Sequence, residues 1–447
     1  MREAATIAAK RPLCVFWSEV EKWTPTSSHL RFEKLPDSWQ LLPVSSFATQ
    51  IESKEKVDPD GEYRMAGVKW YGEGVFHRET VLGKEQSANY LYPIKPGAII
   101  YNRLFAWKES FAVVPEELDG YYVSNEFPQF KINLSIALPK YIYLLFNTKK
   151  IIRAVNAASI GSAAISRNRF KESDFLGFKV TIPPLPIQQK IVAHWEAAQL
   201  ERAAADTALS ALVLELHSWL VKQTRGFSQV TRSKVFLANY ENTQQWDVKA
   251  GRAAAFITAN PDFIRLGDYT EECAETVRPW DEPEKEWPIY GVNNKEGVFL
   301  SSMQAGKDFN APYKKIEKDW FFHNPTRANV GSLGIVPEVP TDAITSPEYQ
   351  VWRLKDGFLP DFMALMLRTD YFLALVAFNR VGGVKQRMYY ANLAEIRLPE
   401  ISVEVQKNFA DRRQEILANI SAANEKLAQR KKDIEKMILG TCPVEVH

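Results

Sequence analysis

The feature that most restricts this chain is an ordered internal repeat. Asp37–Leu41 (DSWQL) matches Asp262–Leu266 (DFIRL) 225 residues later, and Gly74-Val75-Phe76 matches Gly297-Val298-Phe299 at 223. Each of the latter follows a turn-rich stretch, Gly67-Val68-Lys69-Trp70-Tyr71 or Gly291-Val292-Asn293-Asn294-Lys295. Val114-Pro115-Glu116 then matches Val336-Pro337-Glu338 at 222, Leu138-Pro139 matches Leu359-Pro360 at 221, and Gly161-Ser162 pairs with Gly382-Gly383. Gln189-Lys190 pairs with Gln406-Lys407 at 217. A smooth drift with the order kept is the mark of a duplicated unit with small loop deletions.

Length agrees. At 447 residues and 46% hydrophobic content, the chain exceeds one ordinary core and has apolar surface for two. Within each copy, Ala98–Tyr101 and Asp319–Phe322 read as strands, as do Phe178–Ile182 and Glu395–Leu398. Short helices are expected at Leu138–Ala154 and Leu359–Phe378.

Each copy leads into a long amphipathic segment. Ile191, Trp195, Ala198, Arg202, Ala205, Leu209, Leu212, Leu216 and Trp219 step by alternating four and three residues. The second series is Val405, Phe409, Arg412, Ile416, Ile420, Ala423, Leu427, Arg430, Ile434 and Met437. That spacing is a coiled-coil seam, and two such seams in one chain can bury each other. Prolines mark both entrances, Gly440 closes the second helix, and the first is expected to end near Gly226. A helix of about 36 residues spans about 54 Å, more than one DNA turn of about 34 Å. The alternative is that each helix packs on its own globular unit.

The resulting expectation is an α/β chain of two similar globular domains separated by two long antiparallel helices forming a coiled coil with a pseudo-twofold repeat. The segments are 1–185 and 227–400 for the domains, 186–226 and 401–440 for the helices, and 441–447 for a tail.

Charge is informative only in its distribution. The net value is +2, yet no acidic residue lies between Glu126 and Glu172, where Lys131, Lys140, Lys149, Lys150, Arg153, Arg167, Arg169 and Lys171 all fall. Such a segment attracts a phosphate backbone, although a solvated basic surface is the bland reading. Cys14, Cys273 and Cys442 are too few and too far apart for a disulfide framework or a CxxC site, and no stretch has the roughly 20 apolar residues of a membrane helix. A cytoplasmic protein is expected.

The run Ile160-Gly161-Ser162-Ala163-Ala164-Ile165-Ser166, the strand Phe175–Ile182, the exit Pro183-Pro184-Leu185-Pro186 and the helix start Gln188-Gln189-Lys190-Ile191-Val192 together resemble the specificity subunit of type I restriction-modification enzymes. The second copy departs from this pattern, with Val381-Gly382-Gly383-Val384-Lys385-Gln386-Arg387 and a single Pro399. The resemblance implies two target-recognition domains reading the two halves of a bipartite, asymmetric DNA site. It also implies docking of methyltransferase subunits and, through them, a motor-nuclease restriction subunit. S-adenosylmethionine, ATP and magnesium are expected on those partners and no cofactor or metal in this chain, which is expected to be non-catalytic. The resemblance further pairs Pro96–Arg103 with Trp320–Arg327 and turns Arg103 and Arg327 toward DNA.

Groove readout favours Arg or Lys for guanine and Asn or Gln for adenine, carried on loop tips. The candidates are Lys69, Tyr71, Arg103, Lys108, Arg167 and Arg169 in the first copy, and Asn293, Lys295, Arg327, Asn329, Lys385 and Arg387 in the second. Arg202, Arg412 and Arg430 interrupt the apolar seams and mark a partner-facing surface, or else snorkel to solvent.

No GxxxxGK[ST] loop is present. Asn324-Pro325-Thr326 lacks the second proline and aromatic of an amino-methyltransferase box, and the carboxylates around Asp37 and Glu52 have no counterpart in the second copy. The competing class is a duplicated coiled-coil scaffold or regulator that binds protein partners, for which the small net charge argues.

Overall fold

The computed structural model describes residues 36–159, 169–242, 247–383 and 385–440. By its contacts the chain divides into two compact units, one of residues 1–200 with 425–447 and one of residues 201–424. Cys14, Cys442, Gly161, Ser162 and Arg167 fall outside the described residues.

The strands of the first unit are β1 (Gln40–Pro43), β2 (Ala48–Gln50), β3 (Glu55–Lys56), β4 (Glu62–Val68), β5 (Val75–Leu82), β6 (Tyr90–Pro93), β7 (Ile99–Tyr101), β8 (Phe111–Val113), β9 (Tyr122–Val123), β10 (Gln129–Ile132) and β11 (Lys179–Ile182). They form a pair β1-β11, a four-stranded sheet β2-β10-β7-β8 and a five-stranded sheet β3-β6-β9-β4-β5. Helices α1 (Pro139–Phe146), α2 (Lys149–Ala158) and α3 (Glu172–Gly177) cover the four-stranded sheet, and the first stretch of α4 (Leu185–Gln223) completes the unit.

β7 is buried on both faces: Ile99 and Tyr101 enter an aromatic core beneath the helices, and Ile100 enters an apolar cluster on the opposite face. Tyr101 is fully buried and stacks on Phe130 with centroids 6.1 Å apart, while Phe175 lies 4.5 Å from Phe130 and 4.8 Å from Phe146. Large rings of this kind supply most of the burial energy available to a small sheet.

The second unit repeats the topology. After α5 (Phe227–Arg232) and α6 (Val248–Ala259) come β12 (Ile264–Arg265), β13 (Thr270–Glu272), β14 (Thr276–Val277), β15 (Glu286–Asn293), β16 (Gly297–Ala305), β17 (Tyr313–Lys315), β18 (Phe321–His323), β19 (Leu333–Ile335), β20 (Ile344–Thr345), β21 (Gln350–Leu354) and β22 (Arg397–Leu398). Their orders, β12-β22, β13-β21-β18-β19 and β14-β17-β20-β15-β16, are those of the first unit strand for strand. Even the irregularity in the long hairpin recurs, between Met65 and Ala66 and between Ile289 and Tyr290. In each hairpin a glycine lies under a phenylalanine: a Cβ on Gly67 would meet the Phe76 ring at 2.9 Å, and one on Gly291 the Phe299 ring at 3.2 Å.

Where one short helix is expected in each copy, the structure has two: α1 and α2, and α7 (Pro360–Met366) and α8 (Asp370–Asn379). The break has a local cause. Buried Thr148 and Thr369 each leave helical geometry, bond back to the preceding turn and accept the backbone N–H of Ile151 or Phe372 as an N-cap. A short α9 (Tyr390–Ala394) precedes β22, and α10 (Val403–Ile438) follows it.

Both long helices are shared by the two units. In the first unit Ile191 and Trp195 of α4 join the core together with Ile434 and Ile438 of α10, and Arg430 donates to the carbonyl of His194 at 3.0 Å. In the second, Leu212 and Leu216 pack with Phe409 and Ala410. There Arg412 donates twice to Glu215, at 2.8 and 2.6 Å, and Arg202 donates to Asn424 at 3.2 Å. Within that unit the partners run in opposite senses, so the two helices are antiparallel. The three arginines that interrupt the seams thus tie one helix to the other. Packing on the globular cores, the alternative weighed from the sequence, occurs as well: each helix end contributes to one.

Candidate nucleic-acid interface

At one edge of each unit three loops converge. In the first, the tip of the β4–β5 hairpin meets the turn between β7 and β8: the N–H groups of Tyr71 and Gly72 donate to the carbonyls of Lys108 and Glu109, both at 2.8 Å. The third loop joins through Phe170 N–H, which donates to the Arg103 carbonyl at 3.0 Å. Tyr71 has φ of +58°, a left-handed conformation that costs a non-glycine residue of order 1 kcal/mol or more.

In the second unit Gly331, in the β18–β19 turn, lies so close to the β15–β16 hairpin tip that a Cβ there would stand 3.1 Å from Cβ of Asn294. Met388 N–H donates to the Pro325 carbonyl at 2.8 Å, and the Arg380 guanidinium bridges the carbonyls of Thr326 (3.2 Å) and Gln386 (2.6 Å). Asn293 is committed to the hairpin, its Oδ1 accepting the N–H groups of Lys295 and Glu296 at 2.8 and 2.7 Å.

Residues 36–197 match the family described as the type I restriction modification DNA specificity domain. The chain carries a type I restriction-modification DNA specificity domain. No curated protein matches the chain. Among solved structures it is similar to the HsdS subunit from Thermoanaerobacter tengcongensis, at 16% identity and a TM-score of 0.35 over 92% of this chain and 99% of that one. It is also similar to the type I restriction-modification system S subunit from M. genitalium, at 11% identity and a TM-score of 0.42 over 93% and 99%. A third similarity, 16% identity and a TM-score of 0.41 over 91% and 98%, is to a chain from a structure described as underlying complex assembly and conformational transition of the type I R-M system. Likenesses this distant decide nothing further, and the assignment stands on residues 36–197.

The second unit, beyond the matched segment, repeats in its β18–β19 turn the hydrogen bonds of the β7–β8 turn. Asn102 N–H donates to Ser110 O at 3.1 Å as Asn324 N–H does to Ser332 O at 3.0 Å, and Oδ1 of each asparagine accepts the N–H two residues on. This corrects the pairing of the arginines. Arg103 is equivalent to Pro325, and Arg327 to Phe105. Likewise Arg169 is equivalent to Arg387, since Phe170 and Met388 make the same bond. Gln188, not Gln189, is the partner of Gln406: each accepts from the first N–H of a helix pair, Leu138 (2.8 Å) or Leu359 (2.9 Å), and donates to two carbonyls.

Electrostatically the two edges differ. In the specificity domain Arg169 is held by Glu126 through two bonds, at 3.1 and 2.8 Å, and Arg103 is ion-paired with Glu172. Lys69 lies 3.7 Å from Glu73, and Lys108 sits 3.8 Å above the Trp70 ring with Trp107 and Phe105 also near. Around the second edge Lys295, Arg327, Lys385 and Arg387 are exposed, and among the described residues their charged ends have no ion-pair partner. Of the acid-free basic segment, Lys140 is ion-paired with Glu196.

Three residues of the first edge were missed from sequence: Trp70, Phe105 and Trp107. Trp70 lay inside the matched stretch opposite Asn294, which was the available signal.

No helix is long and apolar enough to cross a membrane, and no grouping of three metal-ligating side chains occurs, among the described residues. His217 accepts the N–H of Tyr371 at 3.1 Å, a structural role. His323 is buried between Met388 O (2.9 Å) and the indole N–H of Trp352 (3.4 Å), and burial holds its pKa down at about 4.

Proposed function

We propose that this chain is the DNA sequence-specificity subunit of a type I restriction-modification complex. It recognises a bipartite, asymmetric target with one unit on each half-site, and it docks methyltransferase and restriction subunits there. The observation that carries this reading is the specificity-domain match over residues 36–197. The repeated three-loop edge extends it to the second unit, because one skeleton with two sets of tip residues suits two different half-sites.

In this reading the tips provide the base contacts and the surrounding cations the phosphate contacts. Arg327, Asn329, Lys385, Arg387 and Lys295 serve the second half-site; Tyr71, Lys69 and Lys108 serve the first. Arg103 and Arg169, already held by carboxylates, serve mainly to fix the loops. Adenine methylation, translocation and cleavage belong to the partner subunits, with their S-adenosylmethionine, ATP and magnesium, and the complex works in the cytoplasm. A scaffold that binds only protein gives no reason for the divergent tips.

The test is methylation mapping in cells expressing the neighbouring methyltransferase with and without this chain. The reading predicts a motif of two defined blocks around an unspecified gap that appears only with the chain. Absence of any chain-dependent motif would overturn it.

A further inference from the structure

The loop equivalence exposes a systematic exchange of chemistry. In the β7–β8 turn the first unit has Phe105 and Trp107 where the β18–β19 turn of the second, with the same hydrogen bonds, has Arg327 and Asn329; on the hairpin tip it has Trp70 and Tyr71 where the second, with a tip one residue shorter, has Asn294 and Lys295. Aromatic rings on two loops of one edge are thus replaced by hydrogen-bonding side chains on the matching loops of the other.

The aromatic cluster is not a core that spilled outward. Trp70 is 40% and Tyr71 59% exposed, although Trp70 is packed on Phe105 with centroids 5.1 Å apart and capped by Lys108. These contacts preset the indole, so little rotamer freedom remains to be lost on binding. Tyr71 stands in a left-handed conformation that a glycine would adopt without strain. The backbone of Tyr71 ties the hairpin tip to the β7–β8 turn while its ring is left exposed, and an aromatic ring held out in a strained conformation points to use of the ring. Among the described residues, the two arginine candidates of this edge, Arg103 and Arg169, are ion-paired with Glu172 and Glu126, which weakens direct guanine readout by either guanidinium.

We propose that the first unit recognises its half-site by apolar contact of Trp70 and Tyr71 with thymine 5-methyl groups in the major groove, while the second reads by hydrogen bonds. The methyl group is the one apolar feature a base pair shows in that groove. The inference rests on the proposed DNA-reading function and specifies the chemistry of one half of it.

The experiment uses the full chain assembled with its methyltransferase subunits. The chain-dependent motif is mapped first, and the block left unchanged by Arg327→Ala is assigned to the first unit. Duplexes with deoxyuridine replacing each thymine of that block then remove one methyl group at a time. At one or more positions affinity is expected to fall about fourfold, the worth of one buried methyl-sized group. Trp70→Ala with Tyr71→Gly, the second change relieving backbone strain, should make uridine and thymidine duplexes bind alike. A first block with no thymine on either strand, no uridine-sensitive position, or sensitivity unchanged in the double variant overturns the inference while leaving the DNA-reading function intact. Tighter binding to a mismatched step without uridine sensitivity identifies an aromatic wedge and overturns it too. No chain-dependent motif at all removes the function and the inference together.

Discussion

Gln188 and Gln406, 218 residues apart, make the same three hydrogen bonds: each accepts the N–H that opens a helix pair and donates to two loop carbonyls, one of them at the mouth of a long helix. Both are buried. Each amide therefore locks the start of α4 or α10 onto its own unit.

Removing one of these amides leaves a donor and two carbonyls unsatisfied in a closed site. Gln406→Ala is expected to destabilise the second unit by about 3 kcal/mol, and Gln188→Ala to do the same to the first. Hydrogen exchange read unit by unit checks this. Loss of protection should appear around Leu359 and the start of α10 for Gln406→Ala, and around Leu138 and the start of α4 for Gln188→Ala. Equal loss in both units from either change would show that the locks are not local.

His323 gives the second unit a pH dependence. Burial is the main cause of its lowered pKa, about 4 against 6.5 in an unfolded chain; the bond to Met388 opposes the shift and Lys314 adds to it. Between those values the unfolded chain takes up a proton that the folded unit refuses. Stability is therefore full above pH 6.5 and falls as pH drops toward 4, by on the order of 3 kcal/mol. Thermal unfolding followed from pH 7 to 4 should show the loss in wild type and a flatter profile in His323→Gln.

Arg169 and Arg387 occupy equivalent places with different partners. Because Glu126 already holds Arg169 while Arg387 is exposed and has no ion-pair partner among the described residues, Arg387→Ala should lower the salt dependence of DNA binding by about one charge. Arg169→Ala should change it less. Binding titrations over a range of salt concentrations decide the matter, and equal slopes for the two variants would contradict the ion-pair argument.

The architecture was legible because period and order survive loop variation. The matched strings Gly74-Val75-Phe76 and Gly297-Val298-Phe299, which fall on equivalent strands β5 and β16, and the alternating seam of α4 are displayed directly by the sequence. Register was less legible. Gln188 and Gln189 are indistinguishable as letters, and only the burial of one identifies the partner of Gln406. Arg103 and Arg327 fell together by eye because each follows an asparagine and a short strand; the turn hydrogen bonds separate them by two residues. Charge state was hidden altogether, since Glu126 and Glu172 reach Arg169 and Arg103 from distant sequence. Asn293 was read as a donor for bases, whereas its carbonyl oxygen is used by its own hairpin.

The central claim is that each unit reads its own half of one target, and a single substitution in one loop tests it most directly. The methylated motif directed by the chain carrying Arg327→Ala, in complex with its methyltransferase, should be compared with that of wild type. The account predicts relaxed preference at one position of one block, worth about 1 to 3 kcal/mol of discrimination, with the other block and the gap unchanged. Relaxation in both blocks, or a uniform fall in methylation at every site with preference kept, would contradict it.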